Sequence, residues 1–314
     1  MSSTSGAPRV RIEAMRTRMH DDEILTDADL ARRLLAEQRP EWAGLPLRQV
    51  THHGTDHDVY RVGDDLSLRL PRTAWAAAQA EKEARLVPLL APHVTLRLPV
   101  VHALGRPTSF YPYGWSVQSW LPGHDLVGRD LADDVALAAD LAAFVLSLRT
   151  VGTDAASPLP PTARGGDLAL HDDAVADRIA ELGERVDGAA LRRAWQESRA
   201  AAPAASRCWT HGDLLPGNLL AVDGRLTGVI DLGSLNATDP ALDLTPCWYL
   251  LGGTGSAAAR RYLDLLGATP EHVLRARGWA QLQALNALPY YWDTNPGMVH
   301  LAATALTRIT AEAG

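Results

Sequence analysis

From Arg48 to Leu70 apolar and polar positions alternate with a period of two. The pattern predicts a β-hairpin: Val59-Tyr60-Arg61-Val62, a Gly63-Asp64-Asp65 turn, then Leu66-Ser67-Leu68-Arg69-Leu70. Ahead of it, Leu30, Leu34 and Leu35 follow Asp27 at helical spacing and predict a short amphipathic helix. Behind it, Thr73 to Leu90 reads as a helix capped by Thr73 and carrying Glu81 and Glu83. Two more strands are expected near Val100–Leu104 and Trp115–Trp120, and Leu121-Pro122-Gly123 then breaks the pattern as a hinge. Leu131, Val135, Leu141, Val145 and Leu148 mark a long buried helix. Ser157-Pro158-Leu159-Pro160-Pro161 and Gly165-Gly166 form a loop, followed by helical stretches at Asp172–Val186 and Ala189–Ala202. A short strand at Cys208–Thr210 leads into a polar turn, a hairpin reverses at Asp223-Gly224, and the chain past Asp239-Pro240 reads as helical. The expected organisation is a disordered tail or leader over 1–22, a strand-rich N-lobe over 23–121 and a helical C-lobe over 122–314, an α+β class.

Composition narrows the function more than the fold. Apolar residues make up 46% of 314, an ordinary share for a globular protein with ample core. No run reaches the ~18 apolar residues of a membrane helix. Met1 to Met19 is polar and Arg-rich, without the apolar stretch of a signal peptide. Cys208 and Cys247 have no paired spacing, so a reducing cytoplasm is expected, without a disulfide scaffold or zinc module. The formal charge of −7 argues against nucleic acid as a partner. Lys82 is the only lysine and lies between two glutamates. A Walker A loop needs Gly-Lys-Ser/Thr, so that class of nucleotide site is excluded.

The candidate chemistry lies in His211-Gly212-Asp213-Leu214-Leu215-Pro216-Gly217-Asn218, with Asp231-Leu232-Gly233 starting thirteen residues after the Asn. Asp213 can orient an attacking hydroxyl and accept its proton. Asn218 and Asp231 offer the hard oxygens that Mg²⁺ on a nucleotide triphosphate prefers, and His211 would brace the loop. Alone, His-x-Asp-x4-Asn would equally suit a polar turn with a capping Asn. A second Asp after Val229-Ile230, with a hairpin between, favours a phosphoryl-transfer centre.

With these motifs the chain resembles the aminoglycoside phosphotransferase family, whose hallmark is His-Gly-Asp-x4-Asn and a later Ile-Asp-x-Gly. The resemblance runs from about residue 25 to about residue 310. It implies a two-lobed, protein-kinase-like fold, with a small antiparallel sheet in the N-lobe and a mainly helical C-lobe. It also implies Mg²⁺, with ATP or GTP as co-substrate and a hydroxylated small molecule as acceptor. Asp239 and Asp243 match positions that brace the active-site loop. The small lobe departs from the kinase pattern: Arg69 stands on the strand where kinases carry a phosphate-binding lysine. Its expected partner is Glu83, with Glu81 second. Thr51 to Val59 carries one glycine where a cluster is usual. Gly54 and Thr55 are expected against the phosphates, and the three histidines with Asp56 and Asp58 also admit a metal site. The hinge, by resemblance, would bind the purine through the Ser119 carbonyl and the Leu121 amide.

The acceptor is expected between the C-terminal helices and the loop around Arg164–Asp167. Trp279, Gln283, Asn286 and Tyr290 would share one helix face, with Asp293 following; the aromatic residues among them equally suit core packing. Asp293 is nearly alone as a carboxylate, which sets polycationic aminoglycosides behind nucleosides, macrolides and other glycosylated drugs. The resulting expectation is a cytoplasmic, monomeric or dimeric Mg²⁺-dependent kinase of a small-molecule hydroxyl, foremost an antibiotic, with no nucleic-acid or membrane partner. A metabolic kinase of the same fold and a nucleotide-binding pseudokinase stay open. A protein kinase is disfavoured, since no Ala-Pro-Glu segment follows Asp231.

Overall fold

The computed structural model describes residue 24, residues 26–50 and residues 56–313. The expected 1–22 tail, and Gly54 and Thr55 of the expected nucleotide loop, lie outside the described residues. The first helix, α1 (Ala28–Gln38), starts where Asp27 Oδ1 accepts the Leu30 N–H at 2.7 Å, and its one buried face is Ala31, Leu34 and Leu35. A single turn, α2 (Pro40–Ala43), leads into β1 (Leu47–Val50), β2 (His57–Val62) and β3 (Leu66–Pro71). Helix α3 (Ala74–Leu90), β4 (Val101–Gly105) and β5 (Trp115–Ser119) follow. The five strands form one antiparallel sheet in the order β1-β2-β3-β5-β4.

Alternation decides what each face of this sheet does. Tyr60, Val62, Leu68, Leu70 and Val117 pack with Trp115 and the α1 face into one apolar cluster. Ser67, Arg69, Ser116 and Gln118 alternate with them, which turns Arg69 toward α3. Thr73 has the extended backbone of an N-cap, yet its hydroxyl makes no capping bond, so the expected cap is one of position only.

Past the hinge come β6 (His124–Asp125), α4 (Val135–Arg149), α5 (Asp172–Leu182) and α6 (Gly188–Ala200). Then follow β7 (Cys208–Thr210), β8 (Leu219–Val222), β9 (Arg225–Val229) and β10 (Asn236–Thr238). The chain closes with α7 (Pro246–Tyr249), α8 (Ala257–Leu265), α9 (Pro270–Tyr291) and α10 (Pro296–Glu312). Strands β6, β8 and β9 make a small sheet, and β7 pairs with β10. Asp134 and Asp187 cap α4 and α6 through the Leu137 and Ala190 N–H groups. Helix α4 buries Leu141, Val145 and Leu148 in a large cluster with Trp209, Trp248, Tyr262 and Leu285. Leu86, Val87 and Leu90 of α3 belong to that cluster too. So α3 faces the small sheet with Glu83 and is rooted in the large core by its last turns. Among the described residues no helix is long and apolar enough to cross a membrane.

Gly105 marks the tightest packing in the small sheet. A Cβ there would stand 1.8 Å from the Trp115 ring across the β4–β5 pair. Gly105→Ala is expected to destabilise the protein by about 1–3 kcal/mol through overpacking, read as a lower midpoint in urea unfolding.

Candidate active site

The candidate motif His211–Asn218 is a polar turn between β7 and β8, and a buried carboxylate holds its backbone. Asp243 Oδ2 accepts the His211 N–H at 3.0 Å, and Oδ1 accepts the Gly212 N–H at 2.8 Å. Burial pushes the Asp243 carboxyl above its ordinary pKa, and these backbone donors partly offset that. Asp239 braces the same region less directly. It caps the Ala241 N–H and forms a buried ion pair with Arg275 at 2.6 Å. His211 is fully buried; its Nδ1 accepts the Asp213 N–H at 3.2 Å and its Nε2 lies 3.2 Å from the Ile230 carbonyl oxygen. The Nε2–H tautomer satisfies both contacts, so His211 ties the Asp213 turn to the strand that precedes Asp231.

The hairpin closes the gap between Asn218 and Asp231, thirteen positions apart in the chain. Asp223 and Gly224 both take positive φ, 51° and 77°, as a two-residue turn requires. The Leu219↔Val229 register and the Ile230 N–H donating to the Asn218 carbonyl at 2.9 Å bring the two ends together. Asn218 Nδ2 donates to the Asp213 carbonyl at 2.8 Å and to Asp213 Oδ2 at 3.1 Å. No described residue donates to its Oδ1, which suits a hard cation. At Asp231 the backbone is left-handed, with φ 60° and ψ 72°, a conformation that Asp tolerates better than most residues. It turns the chain from β9 into the Leu232–Ser234 turn.

The small lobe meets this loop through Arg69. Its Nη1 donates to Glu83 Oε1 at 3.0 Å and its Nη2 donates to Asp231 Oδ1 at 3.2 Å. Glu83, buried, also accepts from Gln118 Nε2. Glu83 is therefore the partner of Arg69, as expected. The lone lysine extends the same junction: Lys82 Nζ donates to the Gly233 carbonyl at 2.7 Å. Burial pushes the Asp231 carboxyl up, but the Arg69 guanidinium, by its charge and its hydrogen bond, outweighs that and holds the carboxyl below its ordinary range. His57 stands 3.4 Å from Arg69 Nη2. Burial, and after it Arg69, depress its pKa to about 3, against a weaker upward pull from Asp231. It is a neutral acceptor in this network.

The hinge residues have backbone roles of their own. The Ser119 N–H donates to the Val100 carbonyl and the Trp120 N–H to the Asp65 carbonyl; the Leu121 N–H donates to no described backbone group. On α9, Gln283 Nε2 donates to Asp213 Oδ1 at 2.8 Å, so Gln283 reaches the catalytic turn itself. Asn286 accepts from Arg178, and Tyr290 is exposed. Asp293 is exposed beyond the end of α9. Trp279 departs from the expected face. It is buried, its ring edge packs on His171 with centroids 5.6 Å apart, and it belongs to the core. At about 100° per residue the four positions keep to one narrow stripe, but they spread over about 16 Å of helix length, so the stripe starts in the core at Trp279 and reaches the Asp213 turn at Gln283. Among the described residues no group of three His, Cys, Asp or Glu is arranged to hold a metal; the alternative metal site of the histidine-rich loop includes His52 and His53, which lie outside the described residues.

Three contacts were missed in the sequence: that of Arg164, whose loop was expected at the acceptor, with Asp213; that of Gln118 with Glu83; and that of His57, expected in the nucleotide or metal loop, with Arg69. Gln118 carried a signal, since strand alternation places it on the face of Arg69. Arg164 carried none, since nothing local to a loop names its distant partner.

The sequence matches the model of the phosphotransferase enzyme family over residues 46–285. Comparison with curated proteins by sequence finds no match. Among solved structures, the GDP and kanamycin complex of APH(2")-IIia superposes with a TM-score of 0.71 at 20% identity, covering 90% of this chain and 98% of that one. The apoenzyme of macrolide 2'-phosphotransferase MphH from Brachybacterium faecium gives 0.60 at 23% identity, covering 88% and 97%. The streptomycin–ATP ternary complex of APH(2")-IIa gives 0.59 at 16% identity, covering 90% and 97%. The α+β fold is therefore the kinase-like fold of these enzymes.

The depressed His57 pKa has a consequence for folding. The ordinary value is 6.5 and the folded value about 3, so the unfolded chain binds the proton first as pH falls. The contribution of His57 is complete above pH 6.5 and is lost progressively from there toward about 3. Its limiting slope is about 1.4 kcal/mol per pH unit. Urea unfolding across that window is expected to show a flatter pH dependence in His57→Gln than in the wild type.

Proposed function

Because the chain belongs to the phosphotransferase enzyme family, we propose that it transfers the γ-phosphoryl group of ATP or GTP to a hydroxyl of a small molecule, foremost an antibiotic. One observation carries this reading: Asp213 and Asn218 share one turn, the Ile230 N–H on the Asn218 carbonyl brings the start of the Asp231 loop beside it, and Arg69 links Asp231 to Glu83 of the small lobe. The acceptor hydroxyl would meet Asp213, which orients it and takes its proton as the new O–P bond forms. The bond from the γ-phosphorus to the bridging oxygen breaks, and the nucleoside diphosphate leaves. A loose transition state asks mostly for position and charge compensation. Asn218 and Asp231 would hold Mg²⁺, which when bound neutralises phosphate charge. Arg69, fixed by Glu83, would turn its fork to phosphate oxygens.

The hinge, by its unengaged Leu121 N–H and the Ser119 carbonyl, would take the purine, and the lobe boundary is placed there, between residues 121 and 122. Gln283, Asn286, Tyr290 and Asp293 would border the acceptor. The completed Arg69–Glu83 pair favours an active kinase over a nucleotide-binding pseudokinase. The cytoplasm, where nucleoside triphosphates are made, is the proposed compartment. Structures of similar enzymes hold kanamycin or streptomycin with nucleotide, which supports a drug as acceptor. A phosphate on a drug hydroxyl adds bulk and negative charge, and the drug would no longer fit its target.

The test is mass spectrometry after incubation with Mg²⁺, ATP or GTP and a panel of aminoglycosides, nucleosides and macrolides. A product heavier by one phosphoryl group is expected with the wild type. Asp213→Ala is expected to lower kcat by about 10²–10⁴-fold while nucleotide binding persists. Full turnover by that variant would overturn the mechanism. Phosphorylation of a cellular metabolite, with every drug untouched, would assign the metabolic kinase instead.

A further inference from the structure

Three side chains donate to the Asp213 carboxylate, and one of them comes from outside both the catalytic motif and α9. Arg164 Nη1 donates to Asp213 Oδ1 at 2.9 Å and to the Gly212 carbonyl at 3.0 Å. Gln283 also donates to Oδ1, while among the described residues Oδ2 receives only Asn218. A carboxylate oxygen offers about two lone-pair directions, so Oδ1 is filled and Oδ2 keeps one open. An acceptor hydroxyl that surrenders its proton to Asp213 therefore meets Oδ2. The Asp χ2 torsion is soft and roughly two-fold, so without donors on Oδ1 the two oxygens would exchange roles. Gln283 alone is a neutral donor; Arg164 adds a charge-assisted bond to the same oxygen.

Arg164 sits on a stiff arm. The Ala163 N–H donates to the Pro160 carbonyl, the Gly166 N–H to the Ala163 carbonyl and the Asp167 N–H to the Pro161 carbonyl. Gly165 has φ +82°, and a Cβ there would lie 2.6 Å from Thr238 Cβ and Oγ1. Its carbonyl accepts the N–H of Asp239, whose side chain is paired to buried Arg275. The arm is thus fastened to β10 and to the ion pair behind the catalytic turn.

We propose that Arg164 is a positioning residue of the phosphotransfer reaction, locking the Asp213 carboxylate so that Oδ2 receives the acceptor proton. The proposal rests on Asp213 being the base. Its test compares wild type, Arg164→Ala, Arg164→Lys and Asp213→Ala. The readouts are phosphotransfer to any panel drug that is turned over, nucleotide hydrolysis with water as acceptor, calorimetric nucleotide affinity and melting temperature. Arg164→Ala is expected to lose about tenfold to hundredfold in kcat, with nucleotide affinity within about twofold of wild type. Arg164→Lys is expected to recover part of the loss, and added guanidinium chloride to restore part of the Arg164→Ala rate but none of the Asp213→Ala rate. Wild-type kcat in Arg164→Ala, with Asp213→Ala inactive, overturns the proposal and leaves the base in place. A loss shared by kcat, nucleotide affinity and melting temperature, without response to guanidinium, overturns it as a merely structural effect. An active Asp213→Ala, or a wild type without any turnover, removes the reading of Asp213 as base and the proposal with it.

Discussion

A carboxylate taken out of water must find a cation or hydrogen-bond donors, and Glu83 finds Arg69. Glu83 is 2% exposed, on a helix whose other buried residues, Gln79 apart, are apolar. Such a pair is poor as a source of stability, because desolvating both ions offsets most of their attraction. Its value is geometric. The guanidinium carries one charge on a planar fork, so Nη1 serves Glu83 while Nη2 serves Asp231 and stands beside His57. A lysine would concentrate its donors on one nitrogen and could not span these partners in the same way. Arginine therefore fits this site on its own terms.

Helix α3 transmits that constraint. Its middle turn holds Arg69, Lys82 holds the loop after Asp231, and its last turns are embedded in the large apolar cluster. Any displacement of the small sheet against the catalytic turn must move this helix or break a buried contact. The catalytic turn rests on a second buried carboxylate, Asp243, which faces two backbone N–H groups instead of a cation. The two acids solve the same desolvation problem differently. One recruits a charge that a nucleotide could later share; the other stays within the protein framework.

Much of this was legible in local patterns. The alternation through β2 and β3 separates the core residues Leu68 and Leu70 from Arg69, and the structure keeps that separation. Asp27 caps α1 as its position implies, and the Asp223-Gly224 hairpin turns where expected. The pairing of Arg69 with Glu83 followed from the family resemblance, with Glu81 as the second choice. Other readings failed where a residue type was asked to reveal its surroundings. Thr73 stands at a helix start without capping it, and Trp279 shares a helix with Gln283 but lies in the core.

The sequence by itself determined the element order, the two faces of the small sheet and the oxygen-bearing residues of the catalytic turn. Each of these is a short-range matter of period, turn chemistry or motif spacing. Only the tertiary structure decided that Gln283 and Arg164 fill one oxygen of Asp213, and that Asp231 shares a cation with Glu83. Those contacts join residues far apart in the chain. Their selection depends on which side chains packing leaves within hydrogen-bond reach, and local propensity carries no record of that.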